Sequence, residues 1–158
     1  MGPLRVILIN EVDGARRNLK NMLTRHGFII VAEVKDAASG IMAILNTDAE
    51  LIITEDATVG WQEVANCAQE RQRAPVMLIV SQEDERIAEE AAKLGVLGLI
   101  VRPLTERNLA IMARFTALGS LFGLPRTPAR VSEGLKAKSR RELLSDKGIR
   151  VILKKELP

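Results

Sequence analysis

Two adjacent carboxylates, Glu55 and Asp56, follow an apolar run at residues 51–54. A carboxylate in this position can bind a metal ion, accept a phosphoryl group or simply contact solvent. Three other apolar runs of the chain also end in polar residues, which are Asn10 with Glu11, Ser81, and Arg102 before Pro103. Carboxylates, a hydroxyl and a cation at the ends of neighbouring strands indicate phosphoryl or metal chemistry, provided that the fold brings them together.

The elements that position these residues are predicted from hydrophobic periodicity. Short runs rich in β-branched residues alternate with segments whose apolar residues recur at helical spacing. We predict strands at 4–10, 28–34, 50–54, 75–81 and 97–101, and helices at 14–26, 37–46, 61–72, 83–94 and 105–118. This alternation is typical of an α/β fold, a doubly wound five-stranded parallel sheet of the flavodoxin-like type. In such sheets the functional crevice lies outside the carboxyl ends of the strands, where the polar residues are placed.

Some local features of the helices are also predicted. Asp13 is expected to be the N-cap of the first helix and Thr105 that of the fifth, because their side-chain oxygens can accept backbone N–H bonds. Gly27 is expected to end the first helix in the left-handed conformation. We expect Trp61 to pack on its own domain.

Composition limits the classes of function. The chain is 47% hydrophobic and 27% charged, which is ordinary for a globular domain. A single cysteine, Cys67, and a single histidine argue against disulfides and a structural zinc site, and they favour a cytoplasmic location. No signal peptide or membrane-spanning run is recognisable, and no glycine-rich phosphate loop follows the first strand. We therefore expect no membrane association, no small-molecule substrate and no enzymatic activity.

The charge distribution divides the chain in two. Residues 125–158 contain ten Lys and Arg against four acids, a net charge of +6, whereas residues 1–124 carry −3. Gly123, Pro125 and Pro128 interrupt the helical pattern between the two parts. We predict a domain at 1–120, a linker at 121–128 and a basic C-terminal extension at 129–158.

The first part resembles the receiver domain of bacterial response regulators over about residues 4–118. The resemblance is carried by the first strand with its acidic end and by the segments AELIITED, APVMLIVS and LGVLGLIVRPL. It implies that an acidic pair and an aspartate hold Mg²⁺, that this aspartate accepts phosphate, and that a hydroxyl and a lysine bind the phosphate. An aromatic residue on the fifth strand would couple this site to an output surface.

Nearly every one of these positions is altered in this chain. The acidic pair falls on Asn10 and Glu11, and the phosphoacceptor falls on Glu55, with Asp56 one place later. The hydroxyl position falls on Val80, with Ser81 one place later, and the aromatic position falls on Leu99. The lysine position falls on Arg102, which is followed by Pro103, and the resemblance implies a cis peptide bond between these two residues. Because one acid is lost, Mg²⁺ binding is expected to be weakened. Because glutamate places its oxygen about 1.5 Å further out than aspartate, phosphorylation at this position is expected to be slowed.

The resemblance and the altered positions together predict an atypical receiver that acts through a protein partner or a homodimer without the usual phosphoaspartate switch. We expect an ion pair between Glu55 and Arg102. The alternatives are a phosphorylatable response regulator that uses Glu55, or Asp56 if the third strand is shifted by one residue, and a stand-alone scaffold.

The basic extension has a resemblance of its own. Its basic segment and the following step at residues 147–149 resemble the start of the ANTAR module of bacterial antiterminators, which binds RNA hairpins. This resemblance implies transcription control through RNA, with contacts from Lys136, Lys138, Arg140, Arg141 and Lys147. The run at 150–153 repeats the RVIL of the first strand, and it could instead form a strand.

Overall fold

The chain alternates strands and helices as the periodicity predicts. A computed structural model describes residues 2–121 and 149–151, with side chains for 2–119. The strands are β1 (Arg5–Ile9), β2 (Ile29–Val34), β3 (Leu51–Glu55), β4 (Val76–Val80), β5 (Gly98–Val101) and β6 (Ile149–Val151). The helices are α1 (Asp13–Arg25), α2 (Ala37–Asn46), α3 (Trp61–Glu70), α4 (Glu85–Lys93) and α5 (Glu106–Leu121).

The five predicted strands form a parallel sheet in the order β2-β1-β3-β4-β5. β1 and β3 pair over a short stretch in which Val6 lies opposite Leu51 and Leu8 lies opposite Ile53. Every residue of β3, β4 and β5 is buried, as expected for strands covered on both faces. The predicted flavodoxin-like fold is therefore confirmed.

A sixth strand extends the sheet beyond the prediction. β6 pairs antiparallel with the outer edge of β5, so that Ile149 lies opposite Ile100 and Val151 lies opposite Gly98. The rest of the predicted linker and extension, including all five predicted RNA contacts, lies outside the described residues. The domain boundaries remain a prediction, although α5 runs to Leu121, one residue past the predicted end of the domain.

Two hydrophobic cores hold the helices on the sheet. One core lies under α2, α3 and α4 and contains Trp61, which is buried as expected for a residue that packs on its own domain. The other lies under α1 and α5 and contains Leu19, Leu23 and Phe28. Among the described residues, no helix has the length and apolar content needed to cross a bilayer.

The ends of α1 and the start of α5 are set by identifiable residues. Thr105 Oγ1 accepts a bond from the Asn108 amide at 3.0 Å, as predicted. Gly27 has a φ of +88°, which is compatible with its predicted role after α1. The predicted N-cap at Asp13 is wrong, because Val12 takes that position and Asp13 lies in the first turn. The Asn10 side chain binds the Val12 amide at 2.8 Å, so the helix begins one residue earlier than expected.

Candidate functional site

The predicted site residues lie at the carboxyl ends of β1, β3, β4 and β5. Right-handed crossovers place these ends side by side, so loops separated by tens of residues meet in one crevice. The structure brings Asn10, Glu55 and Arg102 into direct contact there, and it brings Asp56 together with Ser81. Glu11, Val80 and Leu99 take no part in these two sets of contacts.

Glu55 is the last residue of β3 and is 8% exposed. Its Oε2 accepts a hydrogen bond from Asn10 Nδ2 at 2.6 Å and a second one from the Arg102 guanidinium. The ion pair expected from the sequence is therefore present. A charge-assisted bond from arginine and a buried amide bond fix this carboxylate in one position.

Asn10 connects the acid to the first helix. Its side-chain oxygen accepts the Val12 amide, which leaves only its NH₂ group to face Glu55. Its backbone carbonyl accepts a bond from Arg16 Nη1 at 2.8 Å. Asn10 is 3% exposed and acts as a donor towards the acid, a role that a second carboxylate could not take without protonation.

Asp56 and Ser81 form a separate pair at the edge of the crevice. Asp56 Oδ1 accepts bonds from Ser81 Oγ at 3.0 Å and from the Ser81 amide at 3.2 Å. Both residues stand one place after the positions that the receiver pattern uses. The two shifts compensate one another, because β3 and β4 are neighbouring parallel strands in register.

Glu11 contacts the loop after β3. Its Oε2 accepts a bond from the Val59 amide at 3.3 Å and so connects the β1–α1 loop to the β3–α3 loop. Val80 and Leu99 lie in the core under α3 and α4, each 2% exposed, and contribute no polar group to the crevice. The Arg102–Pro103 bond is cis, as the resemblance implies.

Two bases of α1, Arg16 and Lys20, pair with acids near β1 and on β2. A hydrogen bond from Arg16 and its charge hold the pKa of Asp13 below its ordinary value. On β2, a hydrogen bond from Lys20 is the main cause that lowers the pKa of Glu33, and Arg16 adds to it. Both acids are thus ionised near neutral pH and are engaged by bases of α1.

The residues present do not fit the Mg²⁺ ion that the fold family implies. The oxygen of Glu55 that faces the crevice is occupied by Asn10 and Arg102, and Glu11 binds the Val59 amide. A guanidinium beside the acid opposes a divalent cation electrostatically, and Mg²⁺ requires several hard oxygens in octahedral geometry. Within the described part of the chain, no group of three or more potential metal ligands is present.

Sequence reasoning missed three residues of this region. Arg16 reaches the Asn10 carbonyl, and Val12 and Val59 stand on loops that the site residues brace. The spacing of Arg16 after the first strand carried a weak signal, because it lies one turn into α1. The two valines carried none, since their loop positions depend on tertiary contacts.

Comparison with known proteins agrees with this architecture. No protein-family model matches the chain. Chemotaxis protein CheY-3 of Vibrio cholerae is 25% identical over 111 residues, which cover 67% of this chain and 85% of that protein.

Two solved structures are similar in fold. The receiver domain of the response regulator NarL from Mycobacterium tuberculosis superposes with a TM-score of 0.71 at 18% identity, covering 75% of this chain and 99% of that one. CheY in a CheX–CheY–BeF₃–Mg²⁺ complex from Borrelia burgdorferi gives a TM-score of 0.63 at 17% identity, covering 77% and 90%. Sequence relatives and structural neighbours thus agree, and the chain has the fold of CheY-like response regulator receiver domains.

Proposed function

We propose that this receiver domain is a protein-interaction module of signal transduction that works without the phosphoaspartate switch. The observation that carries the proposal is the engagement of Glu55, whose carboxylate is bound by Arg102 and by Asn10 in a buried position. A nucleophile must be free and correctly placed to attack a phosphoryl group, and a displacement near 1 Å can cost about 10²-fold in rate. A fixed ion pair at this position opposes that reaction.

The charge pattern of the crevice supports a permanently set state. Arg102 supplies a positive charge where a phosphorylated receiver would have its lysine and metal ion, and Glu55 supplies the negative charge. Val80 and Leu99 fill their positions with apolar side chains in the core, so the polar and aromatic groups of a switch are replaced by packing. In this proposal the output surface is held in one state by the sequence itself.

A groove beside the crevice is the surface proposed for a protein partner. It has a volume of about 520 Å³ and lies between one face of α1 and the loop after β5. Its apolar lining includes Leu19 and Met22 of α1 and Leu104, and Arg102 also lines it. The CheY of the Borrelia complex is bound to a protein, which supports a protein partner for a domain of this fold.

The proposal predicts that acetyl phosphate with Mg²⁺ leaves the chain unmodified. Intact-mass measurement in acid after incubation is the test, with a receiver that keeps all its pocket residues as the positive control. A mass increase of one phosphate that disappears in Asp56→Asn or Glu55→Gln would instead show a phosphorylatable response regulator. Unmodified protein that also binds no partner would favour a stand-alone scaffold.

A second candidate function, RNA contact by the basic extension, is favoured by its ten bases within residues 125–158. Such a segment attracts any phosphate backbone in a salt-dependent way, so specific recognition must be tested by preference. A control of transcription through RNA predicts tighter binding to a hairpin than to a duplex of equal length, because specific RNA recognition uses loops.

The matched variants for this test carry the same change in charge at two places. Arg140→Glu with Arg141→Glu is expected to abolish the hairpin preference, whereas Arg71→Glu with Arg73→Glu on the domain leaves it intact. The two domain arginines are exposed, so this control does not disturb the core. Equal binding to both RNAs in titrations at physiological salt would exclude the RNA function.

A further inference from the structure

The two most exposed large apolar side chains of the described residues lie at the same edge of the sheet. Val59 is 82% exposed in the loop after β3, and Val12 is 63% exposed in the loop after β1. Neither valine contributes to the charge pattern of the Glu55 site. Exposed apolar residues that are clustered, in contrast to scattered ones, indicate a contact surface.

The backbone amides of both valines are bound by side chains of the predicted site residues. The Val12 amide donates to the Asn10 side chain at 2.8 Å, and the Val59 amide donates to Glu11 Oε2 at 3.3 Å. After Val59, Gly60 adopts a φ of +90°, and a Cβ added there would stand 2.9 Å from Ala37. These hydrogen bonds and the crowded turn restrict both loops, which reduces the conformational entropy that would be lost when a partner segment binds.

The surroundings of Val59 are acidic. Glu11 binds its amide, Asp56 stands at the start of the same loop, and Glu63 Oε1 lies close to Gly60, 3.4 Å from the position of an added Cβ. We call Val12, Val59, Glu11, Asp56 and Glu63 the carboxyl rim. An apolar surface edged by carboxylates is complementary to a peptide that carries aliphatic side chains between lysines and arginines.

The chain itself contains such a peptide. Four bases without an intervening acid occupy residues 136–141, and Leu135, Leu143 and Leu144 flank them. This segment belongs to the part with a net charge of +6, whereas the rim belongs to the part with −3. We propose that the carboxyl rim is the docking surface for the chain's own basic segment at residues 129–147.

The position of β6 brings this segment to the correct edge. Because Ile149 pairs with Ile100 near the carboxyl end of β5, β6 begins at the edge of the sheet where the rim lies. β3 is three strands away from β6, a distance of about 14 Å at the usual strand spacing. The six residues between Arg141 and Gly148 can span this distance in extended geometry, at about 3.3 Å per residue.

The docking has a consequence for the extension. Bases that contact the carboxylates of the rim are not available to an external anionic partner. The docked domain would therefore prevent the basic segment from binding such a partner. This inference concerns the contact between domain and segment, and it stands whether or not Glu55 can be phosphorylated.

A photo-crosslinker tests the contact in the full chain. p-Benzoylphenylalanine is placed at Val59, and at Met42 as a control, because Met42 is also exposed (58%) but lies on α2 outside the rim. After irradiation of dilute protein, we expect monomeric products that link position 59 to peptides of residues 129–147, at a yield several-fold above that from position 42. Digestion and mass spectrometry identify the linked peptides.

Two further conditions make the result decisive. Raising the salt from 50 to 500 mM should lower the yield, and so should reversing the four bases at 136–141, whereas Lys154→Glu with Lys155→Glu should not. Equal yields from positions 59 and 42, or no link to residues 129–147, would overturn the proposal. Links found only between two copies would assign the rim to a second molecule and overturn the intramolecular contact.

Discussion

Replacing Arg102 with methionine is expected to lower the free energy of unfolding by about 2–3 kcal/mol, because Glu55 then remains as a buried, uncompensated charge. The estimate is below the value for a fully buried pair, since the arginine side chain is 35% exposed and its partner 10%. Glu55→Gln should cost only about 1 kcal/mol, because the arginine that is left can turn towards water. The double variant is expected to be no worse than Arg102→Met alone, which gives a coupling energy of about 1–2 kcal/mol.

Urea unfolding of the four proteins in this double-mutant cycle measures the coupling. The matched control is the surface pair of Arg5 with Asp48, whose side chains are 40% and 81% exposed. The same cycle there should give a coupling below about 0.5 kcal/mol, as is usual for exposed ion pairs. If the changes in unfolding free energy at Glu55 and Arg102 are additive and as small as those of the control, the two side chains are solvated independently. The ion pair would then not fix the position of the Glu55 carboxylate.

Restoring the receiver residues should restore phosphorylation. In a variant with Asn10→Asp, Glu55→Asp, Val80→Thr and Arg102→Lys, we expect acetyl phosphate with Mg²⁺ to add one phosphate at a rate at least about 10²-fold above that of the unchanged chain. The shorter carboxylate withdraws from the cation, the added acid supplies a hard oxygen for Mg²⁺, and the compact ammonium leaves room for a phosphoryl group.

The control identifies which carboxylate accepts the phosphate. Adding Asp56→Asn to the restored variant should leave the labelling unchanged, because Asp56 is bound to Ser81 at the edge of the crevice. Labelling that depends on Asp56, or equal labelling of the restored and unchanged chains, would contradict the assignment of Glu55 as the acceptor position. Circular dichroism of each variant checks that a negative result is not caused by unfolding.

The fold was predictable because its signals are local or periodic. Buried parallel strands are continuous apolar runs, and helices reveal themselves by apolar residues at a spacing of 3.6, so the five strands and five helices were found near their true bounds. The pairing of β6 with β5 depends on a long-range contact, and the sequence offered only the repeated RVIL as a hint of a strand.

Local interactions between side chains were less predictable. Asp13 has the right type for an N-cap, but the Asn10 side chain binds the Val12 amide and starts the helix earlier. This outcome depends on Asn10 being buried between Glu55 and the loop, which local propensity does not contain. The brace from Glu11 to Val59 joins residues 48 positions apart, and only the folded sheet brings them together.

The sequence by itself determined the receiver architecture and the altered residue types at each functional position, because both follow from residue identity and order. It left open which of two neighbouring carboxylates ends the third strand beside Asn10 and Arg102. Successive side chains of a strand point to opposite sides, so a shift of one residue exchanges them. Tertiary structure decided the matter: β3 ends with Glu55 facing Arg102 and Asn10, and Asp56 is turned to Ser81.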